Sequence, residues 1–138
     1  MVVLCIKTGE IVYLEGPFPP GECPDISCVR FLFCEMLEDG ERAEADDGFA
    51  GEAPKHFKTP NMFTAQPEAA AMHQRVRSRH ETVNKRFKQW GCMRQLFHHG
   101  VLEHSAAFRA VAVLTQLALE HGEPLFEVEY DDETGDDS

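Results

Sequence analysis

Residues 67–90 read PEAAAMHQRVRSRHETVNKRFKQW, and the reading of this stretch decides the fold. Pro67 suits the first turn of a helix, where its missing N–H costs nothing, and Glu68 suits the positive end of the helix dipole. With about 100° of rotation per residue, Met72, Val76, Val83, Phe87 and Trp90 fall on one side. Gln74, Arg77, Glu81, Asn84, Lys85 and Lys88 fall opposite them, centred on Glu81. The spacing predicts a helix over 67–90 that buries one face and stops at Gly91.

On the N-terminal side, Val2–Lys7 and Ile11–Leu14 are short β-branched runs around Thr8-Gly9, which predicts a hairpin with strands near 2–7 and 10–15. Gly16-Pro17-Phe18-Pro19-Pro20-Gly21 is a turn-rich loop. Asp25 is placed to cap a helix from Ile26 to about Leu37, with Val29, Leu32, Phe33 and Met36 as its buried stripe. Asp39-Gly40 ends that helix. Glu41–Asp46 follows as a strand, Asp47-Gly48 turns the chain, and residues 48–66 have no period and read as a loop. On the C-terminal side a last helix is expected near 104–121, with Ala107, Val111, Leu114 and Leu117 or Ala118 inward and His121-Gly122 as its ending. The switch of period from two to about 3.6 along the chain makes the fold class α/β. The tail after Tyr130 is acidic, lacks apolar residues and is expected to be disordered.

The chain has 138 residues, 43% hydrophobic and 27% charged, which fits one globular domain. No apolar run reaches the ~18 residues needed to span a membrane. The N-terminal apolar run is too short for a signal-peptide core, so the reading is intracellular. Five cysteines (Cys5, Cys23, Cys28, Cys34, Cys92), an odd number without a CxxC pair, argue against a disulfide framework and a standard zinc site. The net charge of −11 hides a strong asymmetry. Residues 71–110 hold eight Arg and Lys against two Glu, a local charge of +6, while 123–138 hold eight acids and no base. Binding follows the local field, so polyanionic partners stay in play.

The chemistry-bearing residues are carboxylates. Asp46 at a strand tip and Glu81 on a rigid basic helix could share a hard divalent cation, with Asp47 as the alternative to Asp46 because adjacent strand residues point opposite ways. The cations flanking Glu81, namely Arg77, Lys85 and Lys88 with Arg79, would lie along nucleic-acid phosphates. The same residues also read as a solvated turn and as an ordinary Glu81–Lys85 helix pair. Elsewhere, Cys92 with His98, His99 and His104 fits no closed zinc pattern. Cys28 and Cys34 read as small core residues, and Trp90 as core. Lys55 and Lys58 sit in the 48–66 loop, either touching phosphate or solubilising it.

Ala45-Asp46-Asp47-Gly48-Phe49-Ala50-Gly51 resembles the segment around the second catalytic Asp of DDE transposases. Arg77-Ser78-Arg79-His80-Glu81 through Lys88 resembles their third-carboxylate helix, with Arg77, Glu81 and Lys88 at the spacing of the bacterial insertion-sequence branch and Gln74 in place of its Tyr. The wording Arg-His-Glu-x-x-Asn-x-x-Phe-Lys-x-Trp, followed by Phe97-His98-His99, is most similar to the eukaryotic PIF/Harbinger-like DDE endonucleases. So are Gly16-Pro17-Phe18 leading to Gly21 and Asp25, and Gly122 through Glu127. The similarity covers roughly residues 2–130.

The resemblance implies an RNase H-like fold in which residues 1–122 form part of a catalytic domain and 123–138 a C-terminal extension. It implies a nuclease or transposase chemistry on DNA phosphodiesters, with Asp46 and Glu81 as catalytic and metal-binding residues and Mg²⁺ or Mn²⁺ as cofactor. DNA, a transposase partner protein or a second copy are the implied partners, with no membrane. The location is nuclear in a eukaryote and otherwise cytoplasmic. One departure matters: no Asp precedes Asp25, so the family's first catalytic Asp and the central strand that carries it are expected to be missing. That implies a truncated, inactive catalytic domain. The alternative is a non-catalytic nucleic-acid-binding or protein-interaction remnant of a mobile element.

Overall fold

The computed structural model describes residues 1–18 and 25–130. The tail at 131–138, Cys23 and part of the 16–21 loop lie outside them. Strands β1 (Val2–Leu4) and β2 (Ile11–Leu14) form the antiparallel hairpin expected from the sequence. Gly9 closes it at φ +77°, a left-handed conformation that favours glycine. A Cβ there would also lie 2.5 Å from Arg79 Nη2, so that guanidinium would have to shift. The register slips between Val3 and Leu4, and Val12, the residue left without a partner, is 59% exposed.

The hairpin is covered on both faces, and its side-chain alternation shows this. Val2 and Leu4, with Ile11 and Leu14, pack against the cluster of Val83, Phe87, Phe108, Val111 and Ala112. Met1, Val3 and Tyr13 pack against Val29, Phe33 and Phe57 on the other side. The first cluster joins α2 (Pro67–Lys88) to α4 (Val101–His121), with the short α3 (Gly91–Arg94) between them. The second belongs to α1 (Asp25–Leu32) and a second, parallel pair, β3 (Ala43–Glu44) with β4 (Phe57–Lys58). The twelve residues between β3 and β4 suffice for a parallel crossover and contain a 3₁₀ turn, Asp47–Glu52. The α/β class is therefore observed, as two separate two-stranded sheets. No helix among the described residues is long and apolar enough to cross a membrane.

α1 stops at Leu32 and tightens into a 3₁₀ turn at Cys34–Met36. This breaks the 100° period, so Met36 is exposed instead of continuing the buried stripe. The 48–66 segment is not a plain loop: it supplies β4 and two 3₁₀ turns, and Phe57, Lys58 and Thr59 are buried. α2 ends at Lys88, and Trp90 has left the helix with an extended backbone (φ −80°, ψ 127°). It is 44% exposed, not core. On α4, Leu114 and Leu117 are exposed, and Phe108, Val111, Ala112 and Thr115 face inward. The helix is apolar around most of its circumference, so periodicity alone leaves its rotation open. Gln116 settles it by accepting the Ile11 N–H at 2.8 Å.

This packing predicts unequal costs for two phenylalanines. Phe87, 5% exposed at the meeting of α2, α4 and the hairpin, should lose about 3–5 kcal/mol of unfolding free energy as Phe87→Ala. Phe31, 80% exposed, should change by no more than about 0.5 kcal/mol as Phe31→Ala. Urea unfolding of the two variants measures both, and equal losses would mean that the core is misplaced.

Candidate functional site

Among the described residues β1 pairs only with β2 and β3 only with β4, and residues of both β1 and β3 line one groove of about 1170 Å³. β1 presents its second edge to α2. Met1 bonds through its main chain to Glu15, and Cys5 to Gly9 and Glu10, the residues flanking β2, so the alternate carbonyls of Val2 and Ile6 point away from that arm of the hairpin. Arg79 Nη1 donates to Ile6 O at 2.6 Å, and His80 Nε2 lies 2.8 Å from Val2 O. The Asn84 amide, 3.3 Å from His80 Nδ1, can only donate there. The proton therefore sits on Nε2 and goes to Val2. Arg79 is 6% exposed, and burial holds its guanidinium below its ordinary pKa. Of the Arg-His-Glu run, the first two residues hold the hairpin. Only Glu81 is exposed, at the groove.

Asp46, at the C-terminal side of β3, also lines this groove, as do Arg77 and Lys88. Asp46 caps the 3₁₀ turn that follows, its Oδ1 accepting the Gly48 N–H at 2.9 Å. Asp47 is turned elsewhere: its Oδ1 accepts the Asn61 N–H at 3.1 Å, and it is not among the groove-lining residues. Arg77 Nη2 donates to Gln74 at 3.0 Å. Lys85 is exposed outside the groove. The geometry thus brings together Asp46, Glu81, Arg77 and Lys88 on one groove and leaves Asp47 and Lys85 outside it, while Arg79 reaches the same groove but is buried and committed to the Ile6 carbonyl.

Sequence reasoning missed a buried polar network at the same groove. The Glu44 side chain is 4% exposed, and its Oε1 lies 2.7 Å from His73 Nδ1, itself on a side chain 2% exposed. The Tyr130 hydroxyl donates to the same Glu44 oxygen at 2.9 Å, and Lys58 Nζ donates to the Tyr130 oxygen at 2.9 Å. Phe63 stacks on the His73 ring at 3.8 Å. Lys58 is thus a buried member of β4, neither a phosphate contact nor a solubilising surface charge. Residues 123–130 run along the basic helix. Arg86 bonds to the Glu123 carbonyl, Arg75 donates to the Glu127 carbonyl at 3.2 Å, and Phe126 lies under the Arg75 guanidinium. The available sequence signal was charge: acidic 123–130 opposite basic α2.

Cys28 is buried and disulfide-bonded, whereas the sequence reading made it a simple core residue. Cys5, Cys34 and Cys92 are free thiols. Hydrogen bonding from Thr8 lowers the Cys5 pKa below its ordinary value. Among the described residues, only Cys34, Glu52 and His56 form a group of three or more side chains able to share one metal ion. Cys92, His98, His99 and His104 do not gather, and His104 instead stacks on Phe97 at 4.5 Å.

No protein-family model matches the chain, and comparison with curated proteins and with solved structures finds no similar protein.

Burial lowers the His73 pKa below its ordinary value; Glu44 pulls it up, and Lys58 and Arg77 push it down. The folded state therefore favours neutral His73, while the unfolded chain takes up its proton near about pH 6.5. This contribution to stability is present above that pH and is lost as the pH falls below it. The melting temperature should drop between about pH 7.5 and about pH 5.5, with a shallower slope in His73→Asn, whose amide keeps a donor near Nδ1. Parallel slopes for wild type and variant would show that His73 does not set this dependence.

Proposed function

We propose that residues 1–122 are part of a DDE-type, divalent-metal-dependent DNA endonuclease or transposase domain of RNase H-like fold, without phosphodiester-cleaving activity as this chain. One observation carries the reading: Asp46 and Glu81, 35 positions apart on different elements, line the same groove with Arg77 and Lys88. The groove also runs between β1 and β3, which remain unpaired with each other, as expected if a central strand belongs between them.

The donor types suit one hard cation. Asp46 and Glu81 offer carboxylate oxygens, the ligand type that Mg²⁺ and Mn²⁺ prefer. Of the other acids on the groove, Glu44 is held by His73 and Tyr130 and Glu41 accepts the Glu38 N–H, while Asp47 lies off the groove. When bound, such an ion would supply an activated water and neutralise charge on a phosphate. The chain's own part is to place two carboxylates beside Arg77 and Lys88, whose charges would hold the backbone of a nucleic acid. A two-metal centre needs a further carboxylate between the ions, and no group of three carboxylates forms among the described residues. That observation also favours the second reading for this chain alone, a nucleic-acid-binding scaffold without catalysis.

On supercoiled plasmid with Mg²⁺ or Mn²⁺, the chain should produce no nicking above that of Glu81→Ala. It should still bind DNA with an affinity that falls as salt rises. Replacing Arg77 and Lys88 together by Gln should reduce the slope of log affinity against log salt by about 1.8, for two duplex phosphates at about 0.9 each. Nicking that depends on Glu81 would overturn the inactivity. Binding without any salt dependence would overturn the phosphate reading.

A further inference from the structure

We infer that Cys34, Glu52 and His56 form a binding site for Zn²⁺ or a similar borderline transition-metal ion, separate from the Asp46–Glu81 groove and independent of the nuclease reading. Two segments distant in sequence supply the donors, Cys34 from one and Glu52 with His56 from the other. Cys34 opens the 3₁₀ turn after α1, Glu52 ends the 3₁₀ turn after β3, and His56 directly precedes β4. One thiol sulfur, one carboxylate oxygen and one imidazole nitrogen lie within 4.8 Å of one another. Tetrahedral coordination with Zn–S near 2.3 Å and Zn–N or Zn–O near 2.0–2.2 Å places neighbouring donors roughly 3.3–3.7 Å apart. Binding would draw the donors together by that difference through side-chain torsions.

The backbone is already fixed. His56 N–H donates to the Glu52 carbonyl at 2.9 Å, which sets the two side chains one turn apart. The His56 carbonyl accepts the Ala43 N–H at 3.0 Å, anchoring the same residue to β3. Glu52 is oriented from outside: Arg30 Nε bonds to its Oε1 and leaves Oε2 for an ion. Gly51 permits this approach, because a Cβ there would stand 3.2 Å from Arg30 Nη2 and 3.0 Å from Ile26 Cδ1. On the inner side Cys34 packs against the cluster of Val29, Phe33 and Phe57, so the sulfur has an apolar wall at its back.

The chemistry of the set selects the ion. A thiolate and an imidazole favour Zn²⁺ over Mg²⁺, Ca²⁺ or Mn²⁺, which take oxygen ligands. Three protein ligands leave a fourth position for water, the arrangement of open zinc sites. Binding displaces the Cys34 proton and joins the end of α1 to the β3–β4 unit through one ion.

The test uses the full chain and Co²⁺ as a spectroscopic stand-in for Zn²⁺. One equivalent of Co²⁺ should give a thiolate-to-cobalt charge-transfer band and tetrahedral visible bands, both abolished by one equivalent of Zn²⁺. Cys34→Ser should lose the charge-transfer band. His56→Ala and Glu52→Gln should each weaken Zn²⁺ binding by about tenfold or more, at least the effect of removing a group that orients a ligand. Cys5→Ser and Cys92→Ser should leave the spectrum unchanged, and circular dichroism of the metal-free variants shows whether they fold. A charge-transfer band that survives in folded Cys34→Ser, or disappears in Cys92→Ser, would overturn the assignment. So would the absence of any band in the wild-type protein. Because the readout is a spectrum of a site outside the groove, its failure leaves the DNA-cleavage and DNA-binding measurements untouched.

Discussion

The buried carboxylate of Glu44 is the constraint on which the second half of the structure depends. A charge taken out of water costs several kcal/mol unless it is paired and hydrogen-bonded. Here the pairing is drawn from three places: His73 on α2, Tyr130 near the end of the described chain, and Lys58 of β4 through the Tyr130 hydroxyl. Each partner can reach Glu44 only if β3 lies against α2 and residues 123–130 run back along that helix. The position of the β3–β4 pair follows from this polar knot as much as from its small apolar contact around Phe57. The knot is also selective. Neutral His73 suits it, which couples the position of β3 to protonation.

A similar division of labour governs the hairpin. Its two faces are buried in two different apolar clusters. Its edge is met by the side chains of Arg79 and His80 rather than by another strand. An open strand edge has unpaired main-chain groups that invite further pairing. Two of the carbonyls are satisfied from the helix, and the rest of that side opens on the groove. The groove therefore exists because α2 holds β1 and β3 separately. The same helix then supplies Glu81, Arg77 and Lys88 to its rim.

Two kinds of metal chemistry are thereby kept apart. At the groove the pair Asp46 and Glu81 offers oxygen donors on exposed side chains. The Cys34–Glu52–His56 group mixes sulfur, nitrogen and oxygen near the apolar cluster at the end of α1. Hard and borderline cations discriminate between such donor sets by ligand type rather than by overall affinity. The positive stretch of the chain is itself partly answered from within, since Arg75 and Arg86 bond to carbonyls of the 123–130 segment. The field of α2 at the groove is consequently carried by fewer cations than the sequence contains.

The sequence by itself determined the local elements with strong periodicity: the 2–14 hairpin, the 67–88 helix with Val76, Val83 and Phe87 inward, and the existence of the last helix. Each depends on interactions between residues a few positions apart, which spacing records. It also marked Asp46 and Glu81 as carboxylates to compare, although only the fold put them on one groove. The two-residue β4 strand left no legible signal, because so short a strand exists only through its partner β3. The rotation of α4 was hidden by an apolar circumference and decided by one hydrogen bond from β2. Arg79 and Lys58 read as surface cations, yet tertiary contacts buried them: Arg79 against the carbonyl of Ile6, 73 positions away, and Lys58 against Tyr130, 72 positions away. The Cys34–Glu52–His56 group was equally invisible, since its first two members are separated by a helix end, a strand and a turn. Charge and polarity are written in the sequence, but whether a polar group meets water, a backbone carbonyl or another side chain depends on long-range packing, and only the tertiary structure decided it.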